Sequence, residues 1–130
     1  MESSRAPGAL REPKTVLVVE DDPDSREIFV ELLKKEGLRP VGVENGAKAL
    51  RYLESHDPPA LIVLDMLMPE MDGWQFRRAQ RAQPKLANIP VVVVSALRTV
   101  ERSALRFGAA AFLGKPFRPE DLRRAISGVA

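Results

Sequence analysis

Cysteine is absent from the 130 residues and histidine occurs once, as His56. Without thiols there are no disulfides and no thiolate metal centre, which fits a cytoplasmic protein. His56 stands beside Asp57-Pro58-Pro59 and is expected on the surface near a helix end. No apolar run approaches the roughly 18 residues of a membrane span, for even Val91 to Val94 is soon interrupted. Charge of one sign is lacking too: 20 basic against 18 acidic side chains give +2, too even to argue nucleic acid binding from bulk electrostatics. Residues 1–13 are polar, with two prolines, a glycine and no apolar h-region, so they read as a flexible tail rather than a signal peptide or anchor.

What is present suffices for one domain over residues 14–130, with 45% hydrophobic and 29% charged side chains. Ala60 to Leu64 is apolar, bounded by Pro58-Pro59 and Pro69, and ends at Asp65. That is the length of one fully buried strand terminated by a carboxylate. Thr15 to Val19 repeats the pattern and runs into Glu20-Asp21-Asp22. Further strands are expected at Pro40 to Val43, at Ile89 to Val94 ending at Ser95, and at Ala110 to Gly114 ending at Lys115. Between them fall helical patterns: Pro23 to Lys35 behind an Asp22 cap, Ala47 to about Ser55, Gly73 to near Pro84, and Arg98 to about Phe107. A last helix runs from Pro119 to Ser127.

Five strands alternating with five helices predict an α/β fold, a flavodoxin-like doubly wound (βα)5 domain with a five-stranded parallel sheet in the order 2-1-3-4-5. Ligands of such sheets bind beyond the carboxyl ends of the strands, where the order reverses between strands one and three. Those strands end in Glu20-Asp21 and Asp65. Strands four and five bring Ser95 and Lys115 to the same rim. Three carboxylates together repel, each pair at about 4 Å costing on the order of 4 kcal/mol at the effective dielectric of a protein surface. A divalent cation resolves that repulsion, and an all-oxygen ligand set favours Mg²⁺, with Mn²⁺ as a substitute. A cation, an ammonium and a hydroxyl facing a carboxylate form a clamp for a phosphoryl group that Asp65 attacks in line, giving an aspartyl phosphate.

These residues resemble a known family. Glu20-Asp21 after an apolar strand, Leu64-Asp65 followed by Met68-Pro69 and Asp72-Gly73, Ser95-Ala96, and Lys115-Pro116-Phe117 are similar to the receiver domain of two-component response regulators. The resemblance implies a phosphorylation-dependent switch of a two-component or phosphorelay system, with Asp65 as phosphoacceptor of a histidine kinase or phosphotransfer protein. It further implies Asp21 as a direct metal ligand, Glu20 acting through water and Leu67 lending its backbone carbonyl. Ser95 and Lys115 would hold the phosphoryl oxygens, Phe112 would be the switch aromatic moving with Ser95, and Lys115-Pro116 would be cis. Phe112 lacks the hydroxyl that many members carry there as tyrosine. The only catalysis implied is the domain's own phosphoryl transfer and slow autodephosphorylation. Leu67 and Leu97, two residues after Asp65 and Ser95, cannot hydrogen-bond a water, so a long-lived phosphoryl group is expected.

Two other functions are open to the same residues. A phosphohydrolase with an Asp nucleophile looks for a second Asp two residues on, where this chain has Leu67. A receiver-like interaction module that never takes phosphate would be expected to lose the acidic pair or the lysine, and all are present. No DNA-binding or other output domain is expected in this stretch of chain. A wheel over the fourth predicted helix turns Val100, Ala104 and Phe107 to the sheet and Arg98, Arg102 and Arg106 outward beside Leu105. With the neighbouring strand five and helix five, that face is the expected meeting place with a downstream protein or a second copy.

Overall fold

The computed structural model describes residues 13–66 and 73–128. Its strands are β1 (Thr15–Val19), β2 (Arg39–Val43), β3 (Leu61–Asp65), β4 (Val91–Ser95) and β5 (Ala111–Gly114). They pair in parallel in the order β2-β1-β3-β4-β5. The helices are α1 (Pro23–Lys35), α2 (Gly46–Ser55), α3 (Gly73–Arg81), α4 (Pro84–Ala87), α5 (Val100–Arg106) and α6 (Pro119–Ser127).

Side chains alternate across each strand, and because both faces are covered the strands read as continuous apolar runs. Leu17, Val19, Ile62, Leu64, Val91 and Val93 meet Leu53, Phe76, Leu86 and Ala104 on one face. Val16, Val18, Leu61, Val63, Val92 and Val94 meet Phe29, Leu33, Leu122 and Ile126 on the other. Each such fully buried side chain contributes about 1.5–3 kcal/mol. Caps fix where the helices start: Asp22 Oδ2 accepts from Ser25 N at 2.7 Å, and Asn45 Oδ1 from Lys48 N at 2.8 Å. Lys48 is also ion-paired with Glu44.

Two sequence expectations are corrected. The third helix ends at Arg81, short of Pro84 as expected, but Pro84 opens a further short helix, α4, that was not expected, and Gln80 Nε2 donates to the Leu86 and Ile89 carbonyls at 2.8 and 3.2 Å. The helix expected over 98–107 spans only Val100–Arg106, leaving Phe107 in the C-cap. Val100 and Ala104 pack inward as expected, but Phe107 is 53% exposed and meets Trp74 edge-on, ring centroids 5.4 Å apart.

Candidate functional site

The carboxyl rim is built by strand ends. Glu20 N donates to the Val43 carbonyl at 3.1 Å, extending the ladder one residue past β1 and drawing the Glu20 side chain inside, where it is buried. Asp65, the last residue of β3, is buried, and Asp21 is half-buried. Lys115 follows β5 directly, its N–H donating to the Ser95 carbonyl at 3.0 Å, which fixes the ends of β4 and β5 side by side. The Lys115-Pro116 peptide is cis.

Carboxylate oxygens of Glu20, Asp21 and Asp65 lie within 4.8 Å of one another. Lys115 Nζ donates to Glu20 Oε1 at 2.7 Å and stands 3.8 Å from Asp65 Oδ2. The second Glu20 oxygen accepts from Asp22 N at 3.2 Å, and Arg26 Nη1 donates to the Glu20 carbonyl at 2.9 Å. Burial pulls the Lys115 ammonium down. The Glu20 hydrogen bond and the charges of Asp65, Glu20 and Asp21 outweigh it, and the lysine ends above its ordinary value. One ammonium facing three carboxylates leaves the rim net negative, with only oxygen donors, so the cluster fits a hard divalent cation. Ser95 is buried and its Oγ accepts from Leu97 N at 3.0 Å.

Of the residues singled out from sequence, Glu20, Asp21, Asp65, Ser95 and Lys115 thus share one rim. Leu67 lies outside the described residues. Phe112 sits on β5 opposite Val93, half-buried against the α5 side of the core. Arg102, Leu105 and Arg106 are exposed on α5. Arg98 is a correction: it precedes the helix, and its guanidinium lies against Gly114, where an added Cβ would be 3.1 Å from Cζ.

Sequence reasoning missed two supporting residues. Arg26 braces the Glu20 backbone from a helix position that its charge alone marks as solvent-facing. Gly73 N donates to the Met66 carbonyl at 3.1 Å, and an added Cβ would come 2.7 Å from Met66 Cα, so α3 starts hard against the residue after Asp65. The Asp72-Gly73 dipeptide suggested a turn but not that contact.

A doubly wound α/β domain with an acid trio and a lysine at its switch point is the class this fold and site define. The response regulator receiver domain family matches residues 16–127, and the chain belongs to that family. It is 35% identical over 119 residues to the two-component response regulator ORR11 of Oryza sativa subsp. indica, covering 90% of this chain and 81% of that protein. The signal receiver domain of a signal transduction histidine kinase from Syntrophus aciditrophicus is 39% identical, with a TM-score of 0.77 over 89% of this chain and 92% of that one. The receiver domain of sensor histidine kinase PA1611 from Pseudomonas aeruginosa is 28% identical, with a TM-score of 0.81 over 91% of this chain and 98% of that one; its structure holds a magnesium ion in the active site cleft. No helix among the described residues is long and apolar enough to cross a membrane.

Proposed function

We propose that this receiver domain takes a phosphoryl group onto Asp65 from the phosphohistidine of a histidine kinase or phosphotransfer protein, and signals through the face formed by α5, β5 and α6. The observation that carries this reading is the packing of Glu20, Asp21 and Asp65 within 4.8 Å beside Lys115. Asp21, Asp65 and, through water, Glu20 would hold Mg²⁺ or Mn²⁺, which supplies Lewis-acid neutralisation of the phosphoryl oxygens. An Asp65 oxygen attacks phosphorus in line, the P–N bond to the donor imidazole breaks, and its electron pair stays on the ring nitrogen, which then takes a proton. Lys115 turns from Glu20 toward the new charge, and the Ser95 hydroxyl leaves the Leu97 amide to do the same. Phe112 moves with Ser95, and β5 carries that change to α5 and α6.

A protein donor is supported by the surface beside the site. A groove of about 500 Å³ runs from Ile28 and Leu32 on α1 over Pro116 and Phe117 to Lys115. Ile28 is 54% exposed at its edge, so a donor covering this apolar floor also reaches the rim. The exposed Leu105 among Arg102 and Arg106 suits an acidic and apolar downstream partner or a second copy. The chemistry ends on the domain's own carboxylate, so it is a switch rather than an enzyme turning over a separate substrate.

The test is incubation with acetyl phosphate, with and without Mg²⁺, read by intact mass. One phosphoryl group should be gained only with the metal and lost in Asp65→Asn; equal labelling of that variant overturns the reading. Ile28→Glu should slow transfer from a phosphotransfer protein while leaving acetyl phosphate labelling unchanged.

A further inference from the structure

On the far side of the sheet from α1, α3 and α5 enclose a groove that the phosphoryl site does not use. Its volume is about 430 Å³ and its walls are Trp74, Arg77, Arg78, Arg81 and Phe107. Arg77 is buried, which a guanidinium seldom is without a carboxylate. Its acceptors are neutral: Nη1 donates to Gln80 Oε1 at 2.8 Å and Nη2 to the Phe107 carbonyl at 3.0 Å. Arg81 Nη1 donates to the same carbonyl at 2.9 Å, so two cations crowd one oxygen. Gly108, at φ 88°, admits that approach; a Cβ there would be 3.3 Å from Arg77 Nη2. Burial first, then the charge of Arg81, push the Arg77 guanidinium below its ordinary value.

Among the described residues no carboxylate is ion-paired with Arg77, Arg78 or Arg81. Each guanidinium has five N–H donors, and those of Arg78 make no hydrogen bond within the described chain. Among the described residues the groove therefore has three cations, several free donors and no ion-paired anion. It also has an aromatic wall, since Trp74 and Phe107 meet edge-on and Phe107 keeps half its surface in solvent. Its volume falls within the roughly 300–1,000 Å³ of small-molecule sites.

We propose that this groove binds a nucleotide, its base laid on Trp74 and Phe107 and its phosphate held by Arg78 and Arg81. The two halves of the site ask for one ligand: fork-shaped donors match phosphate oxygens two at a time, and aromatic faces take any base. A carboxylate alone would leave the aromatic wall unused. An apolar ligand alone would leave the cations uncompensated. The site is separate from Asp65 and does not rest on phosphoryl acceptance there.

Trp74 is the only tryptophan in the chain, so indole fluorescence reports this groove alone. The experiment titrates the full chain with AMP, GMP and ATP, and in parallel with inorganic phosphate, adenosine and the tripeptide Glu-Phe-Glu. Saturable quenching by a nucleotide is expected, weakened on the order of tenfold or more in Arg78→Glu and in Phe107→Ala. Lys35→Glu, the same charge change on α1, should bind as the parent does. No saturable change up to about 1 mM nucleotide overturns the proposal. So does inorganic phosphate or adenosine alone matching the nucleotide, or the tripeptide binding more tightly, which would make the groove a seat for an acidic protein segment.

Discussion

Lys115 Nζ lies 2.7 Å from Glu20 Oε1 and 3.8 Å from Asp65 Oδ2, so the lysine is held on Glu20 rather than on Asp65. This keeps the ammonium at the rim beside both buried carboxylates. Its folded-state value is raised above the ordinary 10.5, so the stabilisation it lends is fully present below that value and is lost as pH climbs through the higher folded one. Urea denaturation from about pH 8 to pH 11 should show a high-pH loss of stability that is smaller in Lys115→Met. Glu20→Gln should bring the lysine down toward its ordinary value, read by NMR of the ammonium. An unchanged titration would mean that Glu20 is not its main partner.

Carboxylates of Glu20, Asp21 and Asp65 within 4.8 Å repel one another. Removing one carboxylate from the cluster relieves repulsion, so Asp21→Asn is expected to raise metal-free stability by about 1 kcal/mol. The same variant should lose the stabilisation by Mg²⁺, which for a single site at a hundredfold excess over Kd amounts to about 2.7 kcal/mol. Thermal melts of both proteins with and without Mg²⁺ check this. A parent protein whose melting point ignores the metal would refute it.

Gly73 carries a steric demand that its neighbours make plain. A Cβ there would lie 2.4 Å from Met66 Sδ and 2.7 Å from Met66 Cα, and the second contact is backbone that cannot swing away. Gly73→Ala should cost about 1–3 kcal/mol and slow labelling of Asp65, because the displaced residue follows the acceptor directly. Gly128→Ala meets nothing within 4 Å and should change stability by less than about 0.5 kcal/mol.

Strand ends were the legible part of this chain. The apolar runs 15–19 and 60–64 stop at carboxylates because a buried strand must end where its charged residue can reach the rim, and that pattern survives in one dimension. Ser95 and Lys115 followed from the same rule. Helix faces were less legible: α5 ends at Arg106, so Phe107 falls in the C-cap and turns out to Trp74, and a wheel cannot show where its helix stops. The buried pair Arg77 and Gln80 leaves no signal in the sequence, since their acceptors at Phe107, Leu86 and Ile89 lie on other elements.

If Asp65 carries phosphate as proposed, the lifetime of that group depends on what can reach phosphorus from the side opposite Asp65. Leu97, two residues after Ser95, is 49% exposed, and its amide is tied to Ser95 Oγ at 3.0 Å, which anchors its backbone beside the rim. It can exclude a water but not orient one. Leu97→Glu should speed dephosphorylation by about tenfold, well short of full general-base assistance. The decay of labelled protein after donor removal measures it, and an unchanged half-life would show that Leu97 does not guard the phosphorus.

Arg98 joins the end of β4 to the end of β5. It comes three residues after Ser95, and its guanidinium lies over Gly114, with an added Cβ placed 3.1 Å from Cζ, 3.2 Å from Nη2 and 3.4 Å from Nε. Contacts to three atoms of the planar group mean that it rests flat on the end of β5, where it lines a cavity of about 320 Å³ with Phe112, Asp121 and Arg124. Gly114→Ala must push the guanidinium aside by a few tenths of an ångström, while in an Arg98→Ala background the three atoms nearest the methyl are gone. A double-mutant cycle should therefore give a coupling of about 0.5 kcal/mol or more, with the glycine substitution less costly once the arginine is gone. Arg98→Ala should also shift the Phe112 ring resonances and leave acetyl phosphate labelling of Asp65 unchanged. Zero coupling would place the guanidinium in solvent and remove this link between the Ser95 loop and the face that α5, β5 and α6 present.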